Sequence, residues 1–295
     1  MPKEWLRETH GAGFELLRHF LLHFFDSDLV TAPGQTAAEL IGAVSIFLPW
    51  FPFVTGPLKE KYAHLSAMAV AGPYRQAIRA DELWLITLMM SAIGLLTAIK
   101  WNSLFPGLGD YRAIGSLPVR PRQIFGAKLL AVSMVATAAV ILLNLAPVLG
   151  FPMVTASRWA IQPAIGGRLA AIAVACVSGC YFFFFALVAA QGVLLNLRIG
   201  RWLQGLLAGG MLILIVGSFS IQPQMTAPVL RPEFARWIPP VWYLGLCQKI
   251  MGDPDPEMHA LAHRALVALL TAVGLVLAAY TLSYRGGIGP CWWRA

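Results

Sequence analysis

The chain has 295 residues, of which 58% are hydrophobic and only 12% charged, with a formal net charge of +8. A soluble domain carries about 25% charged residues, so this composition excludes an ordinary water-soluble fold and points to the bilayer as solvent. The basic residues stand between the apolar blocks rather than in a patch, which fits lipid headgroups and excludes a nucleic-acid interface.

The first apolar stretch is residues 11–25, GAGFELLRHFLLHFF. Phe14, Leu17, Phe20, Leu21, Phe24 and Phe25 recur at helical period, with Glu15, Arg18, His19 and His23 on another side. That pattern predicts an amphipathic helix too short and too polar to span, lying in the interface within a cytoplasmic N-terminal segment of residues 1–36. No basic start, short apolar core and small-residue cleavage site mark a secretory signal, so the N-terminus is expected to be retained.

Six apolar blocks follow, at Ala37–Val54, Leu83–Ile99, Ile124–Leu149, Leu169–Leu197, Leu203–Ile221 and Ala265–Leu282. Each approaches the roughly 20 residues needed to cross a hydrocarbon core, so the expected fold is all-α, with six transmembrane helices over residues 37–284. Pro49 and Pro52 would kink the end of the first block, and the third is long enough to tilt. The linkers at 55–82 and 100–123 read as basic. Residues 222–264, rich in Pro and Trp, suit short helices at an external membrane surface.

With the N-terminus inside, twelve Lys and Arg fall on the cytoplasmic side and ten on the other. The densest group, Lys100, Arg112, Arg120, Arg122 and Lys128, favours a cytoplasmic placement of its loop.

The chemistry that is missing narrows the function. There is no G-x-x-x-x-G-K-[S/T] phosphate loop, no G-x-S-x-G elbow and no H-E-x-x-H helix. Apart from Glu39, the expected spans hold no Asp, Glu, Lys or Arg away from their ends, which argues against a carrier driven by its own ion gradient. Asn144, Gln191 and Asn196 remain as polar residues that could line a pathway or bond between helices. The i, i+4 pairs His19/His23 and His259/His263 could hold one edge of a metal site but lack carboxylates at ligand spacing, and Cys176, Cys180, Cys247 and Cys291 form no zinc or disulfide pattern. No catalytic residue, cofactor site or metal site is expected.

The stretch WNSLFPGLGDYRAIGSLPVRPRQIFGAKLLA at residues 101–131 turns at Pro106-Gly107, offers a short helix near Asp110–Ile114, and turns again at Gly115 and Leu117-Pro118. It resembles the loop and following helix of ABC transporter permeases of the type 2 exporter class. Leu117, Pro118, Val119, Arg120, Arg122, Gln123, Ile124 and Lys128 stand where that class has its Leu-Pro turn and lysine-bearing helix start. The resemblance implies that residues 101–123 carry a coupling helix that docks on a separate ABC ATPase subunit, with Asp110, Tyr111, Arg112 and Leu117 to Arg122 in contact. It also implies a second permease unit, identical or paired, in the inner (cell) membrane, and ATP hydrolysis on the partner chain. Interfacial helix, six spans and a large external segment before the last span match that layout. Two features depart from it. The linker at 55–82 is longer than in many members, and the tail at 285–295, RGGIGPCWWRA, reads as a cut or shifted end of a larger permease. Two other classes stay open: a membrane-embedded enzyme using the histidines, and an assembly factor without transport.

Overall fold

The computed structural model describes residues 13–21, 50–67, 71–100, 104, 121–156, 164–194, 200–221 and 237–285. The described residues are helical and contain no strand. In chain order the helices are α1 (residues 13–21), α2 (Trp50–Ala67), α3 (Ala71–Ile99), α4 (Pro121–Val154), α5 (Ile165–Leu194), α6 (Gly200–Ile221), α7 (Pro239–Ile250) and α8 (Pro256–Arg285).

Helices α3, α4, α5 and α8 are long and apolar enough to cross a bilayer, so the chain is a multi-pass helical membrane protein. The expectation was six crossings. Among the described residues only four helices qualify, because α6 offers a shorter apolar run, Gln204–Gly217, and most of the first expected block lies outside the described residues. The expected linker at 55–82 is also corrected: α2 runs to Ala67 and α3 starts at Ala71, so most of it is helix.

Helix α3 is the central post, packed by α2, α4, α5, α6 and α7. Trp84, Leu85, Ile86, Leu88, Met89 and Met90 are all buried, so this stretch is covered on every side, as expected of a helix apolar all round. The outer helices invert the pattern of a soluble protein. Ile141 and Leu145 on α4, Ile213 on α6 and Leu270 on α8 are exposed, and Leu270 and Ile213 each reach 72%. Lipid is the medium that accepts such faces without penalty. Threonine hydroxyls in the spanning helices are satisfied locally: Thr87, Thr97 and Thr137 each donate to the carbonyl four residues back at 2.7–2.8 Å.

Two ends of the bundle can be distinguished by contact. At the first, the Tyr74 hydroxyl near the start of α3 donates to the Thr155 carbonyl at the end of α4 (2.6 Å), and Arg168 near the start of α5 joins the same carbonyl (3.2 Å). Arg79 pairs there with Asp253 in the α7–α8 turn. At the second, Gln204 on α6 donates to the Ala98 carbonyl of α3 (3.0 Å), and the Tyr280 hydroxyl of α8 donates to the Leu104 carbonyl (2.8 Å). Helix α1 also sits at the second end: Leu16 and Phe20 are buried against Ile124, Ala127 and Ala131 of α4.

Helix α7 is short and does not span. Tyr243 donates to the Ala265 carbonyl and Gly245 lies against Met258 and Leu261, so α7 runs antiparallel to α8 and enters the bundle from the first end. Pro239 and Pro240 open it, and the Val241 amide donates to the Ile238 carbonyl at 3.0 Å. Two prolines carry no amide proton, so the helix start has few donors left to satisfy away from water. Short surface helices were expected in 222–264; among the described residues of that stretch the short helix is α7, and it is packed inward, with Pro240, Val241 and Tyr243–Gln248 buried.

Candidate functional site: a buried polar layer

Near the first end, charged and polar side chains from five elements meet inside the bundle. Asp81 and Glu82 are adjacent on α3 and both are buried, at 0% and 1% exposure. Neighbours on a helix point about 100° apart, so the two carboxylates serve different partners.

Asp81 faces α2. Lys61 donates to both its carboxylate oxygens at 2.9 and 2.8 Å, and the Tyr62 hydroxyl donates to Oδ2 at 2.7 Å. The Tyr62 ring stands edge-on to Tyr74 with centroids 5.4 Å apart. A buried ion is tolerable only when paired and hydrogen-bonded, and this one has both.

Glu82 faces α5 and α7. Its Oε2 accepts a hydrogen bond from Gln248 Nε2 of α7, while Oε1 has no hydrogen-bond partner among the described residues. Arg168 and Arg79 lie within electrostatic range of it, though neither forms a direct ion pair with it. Arg168 is itself buried and spends its guanidinium on Thr155, with Nη1 to the carbonyl (3.2 Å) and Nη2 to Oγ1 (2.7 Å). Glu82, Leu85, Ile86, Ile172 and Cys247 line a small gap that leaves no room for a water molecule. The layer therefore offers a carboxylate oxygen free to accept a hydrogen bond, set against aliphatic walls and a thiol. Outside the spanning helices, burial pushes the Cys247 thiol well above its ordinary range, so it is inert while α7 stays docked.

This layer corrects the expectation that the spans lack buried charge. Asp81 and Glu82 were read as the end of a polar linker. The spanning stretch of α3 in fact starts at Gly72 and contains both, because Lys61 and Gln248 arrive from other helices to accept them. Lys128 on α4 is buried as well, 4.8 Å from the Phe20 ring centroid. The signal available in the sequence was the apolar run that begins directly after the Asp-Glu pair, LWLITLMM.

The residues singled out from sequence do not gather here. Asp110, Tyr111, Arg112, Leu117, Pro118, Val119, Arg120 and Asn196 lie outside the described residues. Arg122 falls in the first turn of α4. Asn144 is buried and bonds between helices: Nδ2 donates to the Val140 carbonyl (2.8 Å) and to Cys180 Sγ of α5 (3.4 Å), while Oδ1 has no hydrogen-bond partner among the described residues. Gln191 is buried near the other end of α5, roughly 16 Å along the helix from Cys180 at 1.5 Å per residue, so it shares no site with Asn144. His259 sits with Nε2 3.0 Å from the Asp253 carbonyl, His19 and His263 are exposed, and His23 lies outside the described residues. Among the described residues no three His, Cys, Asp or Glu side chains converge as metal ligands would.

No family model, curated protein or solved structure matches this chain.

Proposed function

We propose that the chain is the membrane-spanning permease subunit of an ATP-driven exporter in the cell (inner) membrane, forming part of the substrate pathway and taking its energy from a separate ABC ATPase. The observation that carries the reading is the Leu117–Lys128 segment at the root of α4, with its resemblance to a coupling loop. Its placement supports this. That root is where α1 packs, at the same end of the bundle as Ala98, Leu104 and Tyr280, so one face gathers the features expected on the cytoplasmic side.

Parity supports six crossings. Helix α1 packs at the second end and α3 starts at the first, so the proposed scheme counts one passage before α3. Helices α3, α4 and α5 cross in turn. Helix α6 begins at the second end and the α7–α8 turn lies at the first, so α6 crosses again, and α8 makes the sixth passage. The second end is then cytoplasmic, together with α1 as an interfacial helix and the N-terminus, which follows the cluster of basic residues in 100–128. A second copy or paired half completes the pathway.

The test is whether an ABC ATPase co-purifies with the detergent-solubilised protein, and whether Leu117→Asp and Arg120→Glu abolish the association. Loss in both variants, with retained folding, supports the reading. Undiminished association sinks the coupling loop, and no ATPase with the parent protein sinks the permease.

A second reading rests on Asp81 and Glu82. Buried carboxylates in a spanning helix are the usual equipment of carriers driven by an ion gradient. It predicts substrate movement in vesicles that depends on a proton or sodium gradient and persists without any ATPase.

A further inference from the structure

The seam between α7 and its neighbours is uneven. Against α8 it is closed to the limit: a Cβ on Gly245 would stand 2.5 Å from Leu261 Cβ and 2.9 Å from the Met258 carbonyl oxygen. Only glycine allows that approach, so α7 and α8 move together as one hairpin. Deeper in the bundle α7 is also snug, with Tyr243 against Gly179 and Phe182 of α5. Towards the first end the contact with α3 changes character. There it consists of Gln248 donating to Glu82, the Arg79–Asp253 pair in the turn, and the gap lined by Glu82, Leu85, Ile86, Ile172 and Cys247. Arg79 is 45% exposed, and a partly solvated ion pair holds weakly. Glu82 Oε1 gains nothing from the closed state, since it has no hydrogen-bond partner there among the described residues.

We infer that the C-terminal half of α7, together with the start of α8 locked to it at Gly245, is a gate held shut by two latches, Gln248–Glu82 and Arg79–Asp253. The gate pivots near Tyr243 and, when open, admits a ligand with an N–H or O–H donor to Glu82 from the first end of the bundle. The aliphatic walls Leu85, Ile86 and Ile172 restrict that ligand to one whose donor group is attached to apolar bulk. Gln248 occupies the donor's position while the gate is closed. The inference is independent of what drives transport, because it rests on contacts within α3, α5, α7 and α8.

Cys247 is a built-in reporter, since it is buried and lines the gap. In a Cys176→Ala/Cys180→Ala/Cys291→Ala background, modification of Cys247 by a small charged methanethiosulfonate reagent is timed in the purified protein. Slow labelling is expected with both latches intact. Gln248→Leu, which removes the hydrogen bond to Glu82, and Asp253→Asn should each raise the rate, the former about tenfold. The reversed pair Arg79→Asp/Asp253→Arg should return it to the parent rate. A second background that keeps only Cys180, buried beside Asn144, should stay unlabelled in every latch variant. Parent-like Cys247 rates in both latch variants would overturn the gate. Cys180 labelling that rises in step with Cys247 would overturn it as well, by showing general loosening rather than a local opening.

Discussion

Lys61→Met isolates the charge that Asp81 depends on. Asp81 is fully buried and takes two of its three hydrogen bonds from Lys61, the third coming from Tyr62. Methionine keeps the aliphatic stem and removes the ammonium, so the carboxylate is left with one phenol donor. Breaking a buried pair by removing one partner costs about 3–5 kcal/mol. The Lys61 side chain is 19% exposed, so some of its charge is already solvated and the low end, about 3 kcal/mol, applies. Asp81→Asn added to Lys61→Met removes the stranded charge while leaving an acceptor for Tyr62, so the double variant should recover about 2 kcal/mol of the loss. The assay is thermal or denaturant unfolding of the four proteins of the cycle in one detergent. A Lys61→Met protein as stable as the parent would refute the reasoning. So would a double variant whose loss equals the sum of the two single losses.

Further outcomes follow from the same geometry. Gly245→Ala forces α7 and α8 apart, because the obstructing atoms are a Cβ and a backbone carbonyl that cannot yield; about 2 kcal/mol and roughly 4–8 °C of unfolding temperature should be lost. Gly209→Ala on α6, where a Cβ meets nothing within 4 Å, should be neutral or slightly stabilising in the same melt. Thr155→Val removes the Oγ1 acceptor of Arg168 and should lower stability by about 1–3 kcal/mol, measured by the same unfolding assay. The Cys247 thiol is held protonated by burial, so its contribution to stability is intact below the ordinary thiol pKa of about 8.5 and declines as pH rises above it. Cys247→Ala should therefore flatten the decline that begins near that pH, and an unchanged alkaline slope would contradict it.

What the sequence discloses here is apolar length. The cores of α3, α4, α5 and α8 coincide with continuous hydrophobic blocks, and their helical state follows because no other local structure satisfies backbone groups in lipid. It does not disclose how far polar residues can be drawn into a spanning helix. The Asp-Glu pair at 81–82 looks like a boundary when charge is read locally, since the compensation comes from Lys61 on α2 and Gln248 on α7, twenty and 166 residues away. Helix α7 was hidden for a similar reason. A run of Pro and Trp signals a surface segment, yet the two prolines at its start suit a helix end enclosed in the bundle. Asn144 was legible, as an interhelical donor to Cys180. The Leu-Pro loop was singled out only through resemblance, and residues 105–120 lie outside the described residues.

The two-ended arrangement of the bundle is tested most directly by the sidedness of two introduced cysteines in a chain otherwise free of cysteine. Lys100→Cys marks the end of α3 and Pro254→Cys the exposed α7–α8 turn. In sealed, right-side-out vesicles a membrane-impermeant maleimide should label Pro254→Cys at once and Lys100→Cys only after permeabilisation. Labelling of both from the same side would contradict the crossing scheme, and with it the cytoplasmic placement of the loop that follows Lys100.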